Sequence, residues 1–421
     1  MELIHTISAM RIAQRAWADL PITTRAAHLL QVRRRLVERA EALSAVVQRE
    51  TKKSAADAWF ADVVPNLDLF TWWTGPGAKV ITRERSRLSA LRYPAKEGEL
   101  LYEPKGIVGL ITPWNYPAAL PMRAMVPALL AGNAVVFKPS EVTPETGEFV
   151  ASLFQDILPG GLVAVVQGAA AVGRAVVDAA DHVVFIGGTQ AGRAVAARAA
   201  ERLISVSLEL GGNDAALVLG DCDLERTVSG VLWGAFTNSG QNCAAIERVY
   251  VDHARHDEFV TRLVAAAAKL ELAPVATEAQ DAIVRAHLDD AVSRGAVAHG
   301  TYPGPVVLTG LPEDARVLTE ETFGPLCPVV SVESAEAGLR AANASELGLT
   351  MSIWTRDEAR ARALAARAKV GVVTVNNVAM TASMPFAPWS GRGASGGGVT
   401  NSPLAILEMV VPKYVLVDHG R

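Results

Sequence analysis

Between residues 107 and 202, short apolar runs alternate with longer segments of helical period, and this alternation limits the fold more than any other feature. Runs of strand length fall at 107–111, 134–137, 163–167 and 183–186, and helical patterns at 121–130, 145–157, 172–180 and 191–202. Strands spaced by helices of that length predict βαβ units and a mostly parallel sheet. Such sheets bind ligands beyond the carboxyl ends of their strands, which draws attention to the loops after Ile111, Phe137 and Ile186. A second alternating series runs from about residue 215 to 390. The predicted fold class is therefore α/β, with two Rossmann-like parallel-sheet domains.

The flanks differ. Residues 1–79 read as helical, with apolar positions at Ala26, Leu29, Leu30, Val32 and Leu36, then Leu43, Val46 and Val47. Residues 83–102 break into short alternating pieces around Pro94 and Gly98 and suggest a hairpin, while 409–417 is apolar and β-prone, a candidate to pair with a hairpin on another subunit. The glycine- and serine-rich stretch 391–398 reads as a flexible loop.

A chain of 421 residues exceeds one hydrophobic core. A net charge of −4 gives no electrostatic reason to expect nucleic acid or an anionic membrane as partner. Two basic clusters, Arg33 to Arg35 and Arg83, Arg85 and Arg87, read as a solvated helix face and a polar hairpin. Met1 opens no signal-like segment, and no run reaches the ~18 apolar residues of a membrane span, so a cytoplasmic protein is expected. The three cysteines, Cys222, Cys243 and Cys327, are too scattered for a disulfide framework or a CxxC metal site, and the histidines show no ligand spacing; no metal is expected.

Four pieces carry candidate chemistry, each with a plain alternative. In Ser239-Gly240-Gln241-Asn242-Cys243, a glycine turn before the thiol suits an exposed nucleophile favoured by backbone N–H groups, or buried filler. Glu209, between leucines and before Gly211-Gly212, is a partly desolvated general base or an edge residue. Asn115, between Pro113-Trp114 and Tyr116-Pro117, is a held amide donor for an oxyanion or an ordinary turn residue. Lys138, at a strand end in Lys138-Pro139-Ser140-Glu141, is a nucleotide ligand or a solvated charge.

Taken in order, EPKGIVGLITPWNYP, ALLAGNAVVFKPSEVTP, LELGGN, GQNC, EETFGP and the N-terminal AQRAWADL resemble the aldehyde dehydrogenase superfamily over nearly the whole chain. The resemblance implies oxidation of an aldehyde to its acid, with Cys243 as nucleophile, Asn115 as oxyanion donor and Glu209 as the base for thioester hydrolysis. Glu209 also argues against an acyl-CoA-forming branch. By the same resemblance Lys138 and Glu141 bind the adenosine ribose, Glu321 and Phe323 the nicotinamide ribose, and Thr112, Pro113, Trp114, Gly187, Gly188 and Gly211 line the cofactor site. Glu141 would repel a 2′-phosphate, which favours NAD, with NADP the alternative. The implied layout is a cofactor domain at 1–82 and 103–210, a catalytic domain at 211–402, and an oligomerisation segment at 83–102 and 403–421, serving a homodimer or a dimer of dimers.

The sequence also departs from the family pattern. Ile186 stands where a threonine is usual, Gly188 where a serine is, and Asn213 replaces a lysine; the stretch from Cys243 to Glu321 is short. These departures leave open a member acting on a tethered aldehyde, or a non-catalytic descendant of the fold. For the substrate, Trp233, Phe236 and Trp389 are candidate tunnel walls or core, and Arg248 is a candidate partner for a distal carboxylate or a solvent-facing charge. Semialdehydes and aliphatic or aromatic aldehydes are the two candidate classes.

Overall fold

A computed structural model of the chain describes residues 2–420. Among these residues the strands form two large sheets and two small ones, of three and two strands. The first sheet has five parallel strands in the order Val163–Val165, Ala134–Lys138, Ile107–Ile111, His182–Ile186 and Ser205–Glu209. Its three central strands are buried along their whole length, as parallel strands covered on both faces must be. Helix Ala119–Ala131 is apolar almost all round and buried on nearly every side. The N-terminal helices Glu2–Ala18 and Ile22–Glu38 pack on the same core, and Arg11 is tied to Asp181 at 2.7 Å.

The second sheet has seven strands: Val297–His299, Val306–Thr309, Leu326–Val332, Ile246–Asp252, Asp214–Val218, Thr350–Trp354 and Val372–Val375. All pairings are parallel except that of the first strand. Ser205–Glu209 ends the first sheet and Asp214–Val218 opens the second, so Glu209 and the glycines after it lie at the junction.

Several sequence expectations shift. The helix expected over 145–157 is Pro144–Ser152, because residues 153–158 become turns with Asp156 left-handed. The strand expected at 163–167 stops at Val165. The hairpin is present as Glu84–Ser86 with Lys96–Pro104, laced by Arg83–Glu99 and Arg85–Glu97. The final strand, Val410–Asp418, pairs with Lys96–Pro104 of its own chain from Val410↔Pro104 to Asp418↔Lys96 and forms the edge of the three-stranded sheet. Arg33 and Arg35 are not merely solvated: they donate to the carbonyls of Leu67 and of Ser152, Leu153 and Gln155. The glycine-rich stretch is tied down as well. Ser395 Oγ donates to the Gly211 carbonyl at 2.6 Å and accepts from Gly348 N at 2.9 Å, which pins the segment against the junction.

Candidate active site

Cys243 owes its place to an unusual turn. Helix Leu224–Phe236 ends, and Asn238, Ser239 and Gly240 follow in left-handed conformations (φ 51°, 56° and 73°). A Cβ at Gly240 would collide with the Gly324 carbonyl oxygen, so only glycine fits there. The polar neighbours then lock the loop. Asn238 Nδ2 donates to Gln241 O (2.9 Å), Gln241 Oε1 accepts from Ala276 N (2.7 Å), and Ser239 Oγ donates to Ala273 O (2.6 Å).

Two cavities meet at the sulfur. The smaller, about 240 Å³, is lined by Pro113, Trp114, Asn115, Gly187, Gly188, Glu209, Gly211, Cys243, Glu321 and Phe323, so most of the expected site residues converge. Ile186 also faces it. The larger, about 760 Å³, runs from Cys243 past Tyr116, Trp354 and Val378 to Phe60, Trp233 and Met380. Leu120, Cys243 and Trp389 line both.

Asn115 is buried and its Nδ2 donates to Gln241 O at 3.3 Å. Among the described residues, Asn115 Oδ1, Glu209 Oε1, Thr112 Oγ1 and Asn213 Oδ1 are buried without a hydrogen-bond partner. Such atoms cost stability unless something else satisfies them, and those of Asn115 and Glu209 belong to the lining of the smaller cavity, where a ligand can reach them. Burial pushes Glu209 up to about 7, against the pull of the Arg123 charge. Burial, and then the Glu209 carboxylate, push the Cys243 thiol up to about 12.

Glu321 reaches into the smaller cavity, where Oε1 accepts from Gly212 N at 3.1 Å and burial raises it to about 7. A Cβ on Gly211 would collide with the Glu321 carboxylate, so the glycine is what lets this group approach. Phe323 is left-handed (φ 52°) and stacks edge-on against Trp114, centroids 5.8 Å apart. Glu247 holds this loop, accepting from Thr322 N and Phe323 N, each at 2.7 Å. The sequence reading assigned Glu247 no role; its position in a strand buried on both faces was the available signal.

Lys138, Glu141 and Thr112 stand outside the cavity lining but at the carboxyl end of the same sheet. Lys138 Nζ donates to Pro139 O (2.9 Å) and to Glu141 Oε2 (3.2 Å). The Thr112 backbone N–H donates to the Lys138 carbonyl at 3.2 Å, which ties the two strand ends together. Helix Thr189–Glu201 follows the strand His182–Ile186 of that sheet, with Gly188 at its N-cap and no capping side chain.

Other candidates fall away from the site. Arg248 is buried and donates to the carbonyls of Asn213 and Ala342, so it meets neither a substrate carboxylate nor solvent. Phe236 is core, whereas Trp233 and Trp389 do line the larger chamber. Cys222 and Cys327 are buried and unpaired. Among the described residues there is no cluster of three or more His, Cys, Asp or Glu able to hold a metal, and no helix long and apolar enough to cross a membrane.

The sequence model of the aldehyde dehydrogenase family matches residues 1–415. The chain belongs to that family. It is 36% identical to the 4,4'-diapolycopene aldehyde oxidase of a Methylomonas species, over 99% of this chain and 81% of that protein. It is 34% identical to a Mycolicibacterium smegmatis protein named as a succinate-semialdehyde dehydrogenase [NADP(+)], over 97% of this chain and 83% of the other. Among solved structures, an aldehyde dehydrogenase from Brucella melitensis biovar abortus superposes with a TM-score of 0.95 at 28% identity, covering 100% of this chain and 90% of its own. Betaine aldehyde dehydrogenase from Staphylococcus aureus, solved with NAD+, gives 0.93 at 28% identity, covering 99% and 87%. This aldehyde dehydrogenase therefore has the family fold from end to end.

Proposed function

We propose that this enzyme oxidises a bulky, mainly apolar aldehyde to its carboxylic acid, with Cys243 as nucleophile and Glu209 as base. The observation that carries the reading is the meeting of both cavities at Cys243, with Asn115 and Glu209 lining the smaller one.

The smaller cavity and its surroundings fit a nicotinamide dinucleotide. Unpartnered Thr112 and Asn213 oxygens, the open space at Gly188 and the uncapped start of helix Thr189–Glu201 are the fitting features. Lys138 would hold the adenosine ribose, Glu321 and Phe323 the nicotinamide ribose, and Gly187 and Gly188 the pyrophosphate. Glu141 beside Lys138 disfavours a 2′-phosphate, so NAD is the proposed cofactor. When bound, the dinucleotide accepts a hydride and so makes the oxidation possible.

The remaining chemistry belongs to the chain. Glu209, titrating near neutrality, takes the thiol proton, and the sulfur forms a bond to the aldehyde carbon. The carbonyl oxygen becomes an oxyanion that accepts from Asn115 Nδ2 and the Cys243 backbone N–H. Loss of hydride leaves a thioester on Cys243. Glu209 gives the thiol proton up to solvent and then, as carboxylate again, removes a proton from water as the water oxygen bonds to the acyl carbon; the C–S bond breaks, the thiolate leaves and the acid is released.

The larger chamber supports the substrate class. Its 760 Å³ suits a drug-sized ligand (~300–1,000 Å³) better than a four-carbon acid. Its wall includes Trp354, Val378 and Trp389, with exposed Phe60, Trp233 and Met380 at the mouth. The relative named for diapolycopene aldehyde points the same way. A second reading, a semialdehyde, rests on Arg123 and Arg226, which line the chamber but donate to the Ala382 and Asn376 carbonyls. The three free thiols fit a reducing, cytoplasmic compartment. The exposed Val411, Tyr414, Leu416 and Val417 on the last strand support a homodimer or dimer of dimers through the three-stranded sheet.

The test is NADH formation with aldehydes of increasing chain length and with succinate semialdehyde, in wild type, Cys243→Ala and Trp233→Ala. The reading expects thiol-dependent turnover, kcat/KM rising with apolar chain length, and a selective loss of long substrates in Trp233→Ala. Preference for succinate semialdehyde, abolished by Arg123→Met, establishes the second reading instead.

A further inference from the structure

Lys53 and Asp62 lie nine positions apart, and no local pattern joins them. A π-helical turn at Ala58–Val63 adds a residue to the helix and re-aims the side chains beyond it. Asp62 is thereby directed inward, and its Oδ2 accepts from Lys53 Nζ at 2.7 Å, with both side chains fully buried. Its other oxygen accepts from Ala118 N at 3.0 Å and Ala119 N at 3.1 Å. These amides begin helix Ala119–Ala131, whose own N-cap, Ala118, has no side chain able to cap it. The Lys53 ammonium also lies 4.0 Å from the centre of the Tyr116 ring. One ion pair thus grips the chain at Tyr116, Ala118 and Ala119, immediately after Asn115.

We propose that the Lys53–Asp62 pair is a positioning unit for the Asn115 amide. The proposal rests on the reading of Asn115 as oxyanion donor. Between Asn115 and the capped amides stand only Tyr116, held by its ring, and Pro117, whose φ is fixed by its own ring. On the thiol side Asn115 is held loosely. Its Nδ2 donates to Gln241 O and its carbonyl accepts from Asn238 Nδ2, both at 3.3 Å. The shorter contacts on the Asp62 side therefore set where the amide points. Stability alone gives little reason for such a pair, because well-packed apolar residues commonly do as well as a buried ion pair. What apolar residues cannot do is accept from two amides and present a cation to a ring at once.

The experiment is a double-mutant cycle in the intact enzyme. Lys53→Met/Asp62→Leu removes pair and cap together and leaves no lone buried charge. It is combined with Asn115→Ala, and single-turnover acylation is measured alongside NADH binding by fluorescence. In the wild-type background the pair's removal is expected to slow acylation about 10–100-fold, the cost of a misplacement near 1 Å, with NADH affinity unchanged. In the Asn115→Ala background the same change is expected to cost less than about twofold, because the group it positions is gone. Equal costs in both backgrounds, or a wild-type rate in the folded variant, overturn the proposal. If the leucine variant does not fold, Lys53→Met/Asp62→Asn keeps one acceptor for the amides; a loss of about 3–10-fold that disappears with Asn115→Ala is then expected, by the usual worth of one weakened hydrogen bond, and the same two outcomes refute it. A fast Asn115→Ala enzyme refutes the oxyanion reading itself, which separates that failure from failure of the positioning unit.

Discussion

Gly188→Ser restores a hydroxyl at the start of helix Thr189–Glu201, and the local geometry admits it without strain. Gly188 has φ −68° and ψ 148°, an extended conformation open to any L-residue. A Cβ built there meets nothing within 4 Å. With no ligand bound, the serine caps the helix and gains only a few tenths of a kcal/mol over glycine. With an anion at the helix start, the hydroxyl adds one charge-assisted hydrogen bond. At this exposed position the lower end of the range, about 1–1.5 kcal/mol, applies. That corresponds to binding tighter by about five- to tenfold. The assay is fluorescence titration of NADH, with thermal unfolding as the check on folding. Gly187→Ala is the internal contrast, since its Cβ would sit 2.8 Å from the Phe185 ring and force it to move. Weaker binding is expected there. A Gly188→Ser enzyme with wild-type melting and unchanged or weaker NADH affinity would refute the placement of the pyrophosphate at this helix.

Glu209→Gln is expected to abolish a deacylation limb that rises with pH through about 7, and to slow that step by ~10²–10⁴; stopped-flow single-turnover profiles check both. Because burial raises Glu209 above the ordinary carboxylate range, its contribution to stability is fully present below that range and lost as pH rises through about 7. Glu209→Gln should therefore melt above the wild type on the alkaline side of that window and not on the acid side, by differential scanning fluorimetry. Lys52 closes helix Ala40–Thr51 in the left-handed region (φ 62°) and is exposed, so Lys52→Gly should stabilise by about 1 kcal/mol in urea unfolding.

Much of this molecule was legible from its sequence, for identifiable reasons. Buried parallel strands are short and continuously apolar, so Ile107–Ile111 and His182–Ile186 stood out between amphipathic helices. Cys243 and Asn115 sat in turns, and Glu209 at a strand end before paired glycines, where the residue types announce special geometry. The features that stayed hidden depend on tertiary contact. Arg248 looked available because a charged residue is ordinarily exposed, yet its strand is covered on both faces and backbone carbonyls receive it. Glu247 carried only the signal of a charge within a buried strand, and the Lys53–Asp62 pair none, since their partners lie 75 and 76 positions away in one case and around a π-turn in the other. The glycine-rich stretch read as loose because composition records backbone freedom, not the Ser395 bonds that remove it.

The two cavities have Leu120, Cys243 and Trp389 in common, and on the proposed reading one takes the dinucleotide and the other the aldehyde. That layout governs traffic through the enzyme. On that reading each reactant has its own doorway, and neither must pass through the other's to reach Cys243. An acid product can depart through the wide mouth framed by Phe60 and Trp233 while the dinucleotide is still seated. The order in which the two reactants arrive is then governed by their affinities and concentrations rather than by obstruction, and a long substrate can leave its tail outside the protein for the whole of the catalytic cycle.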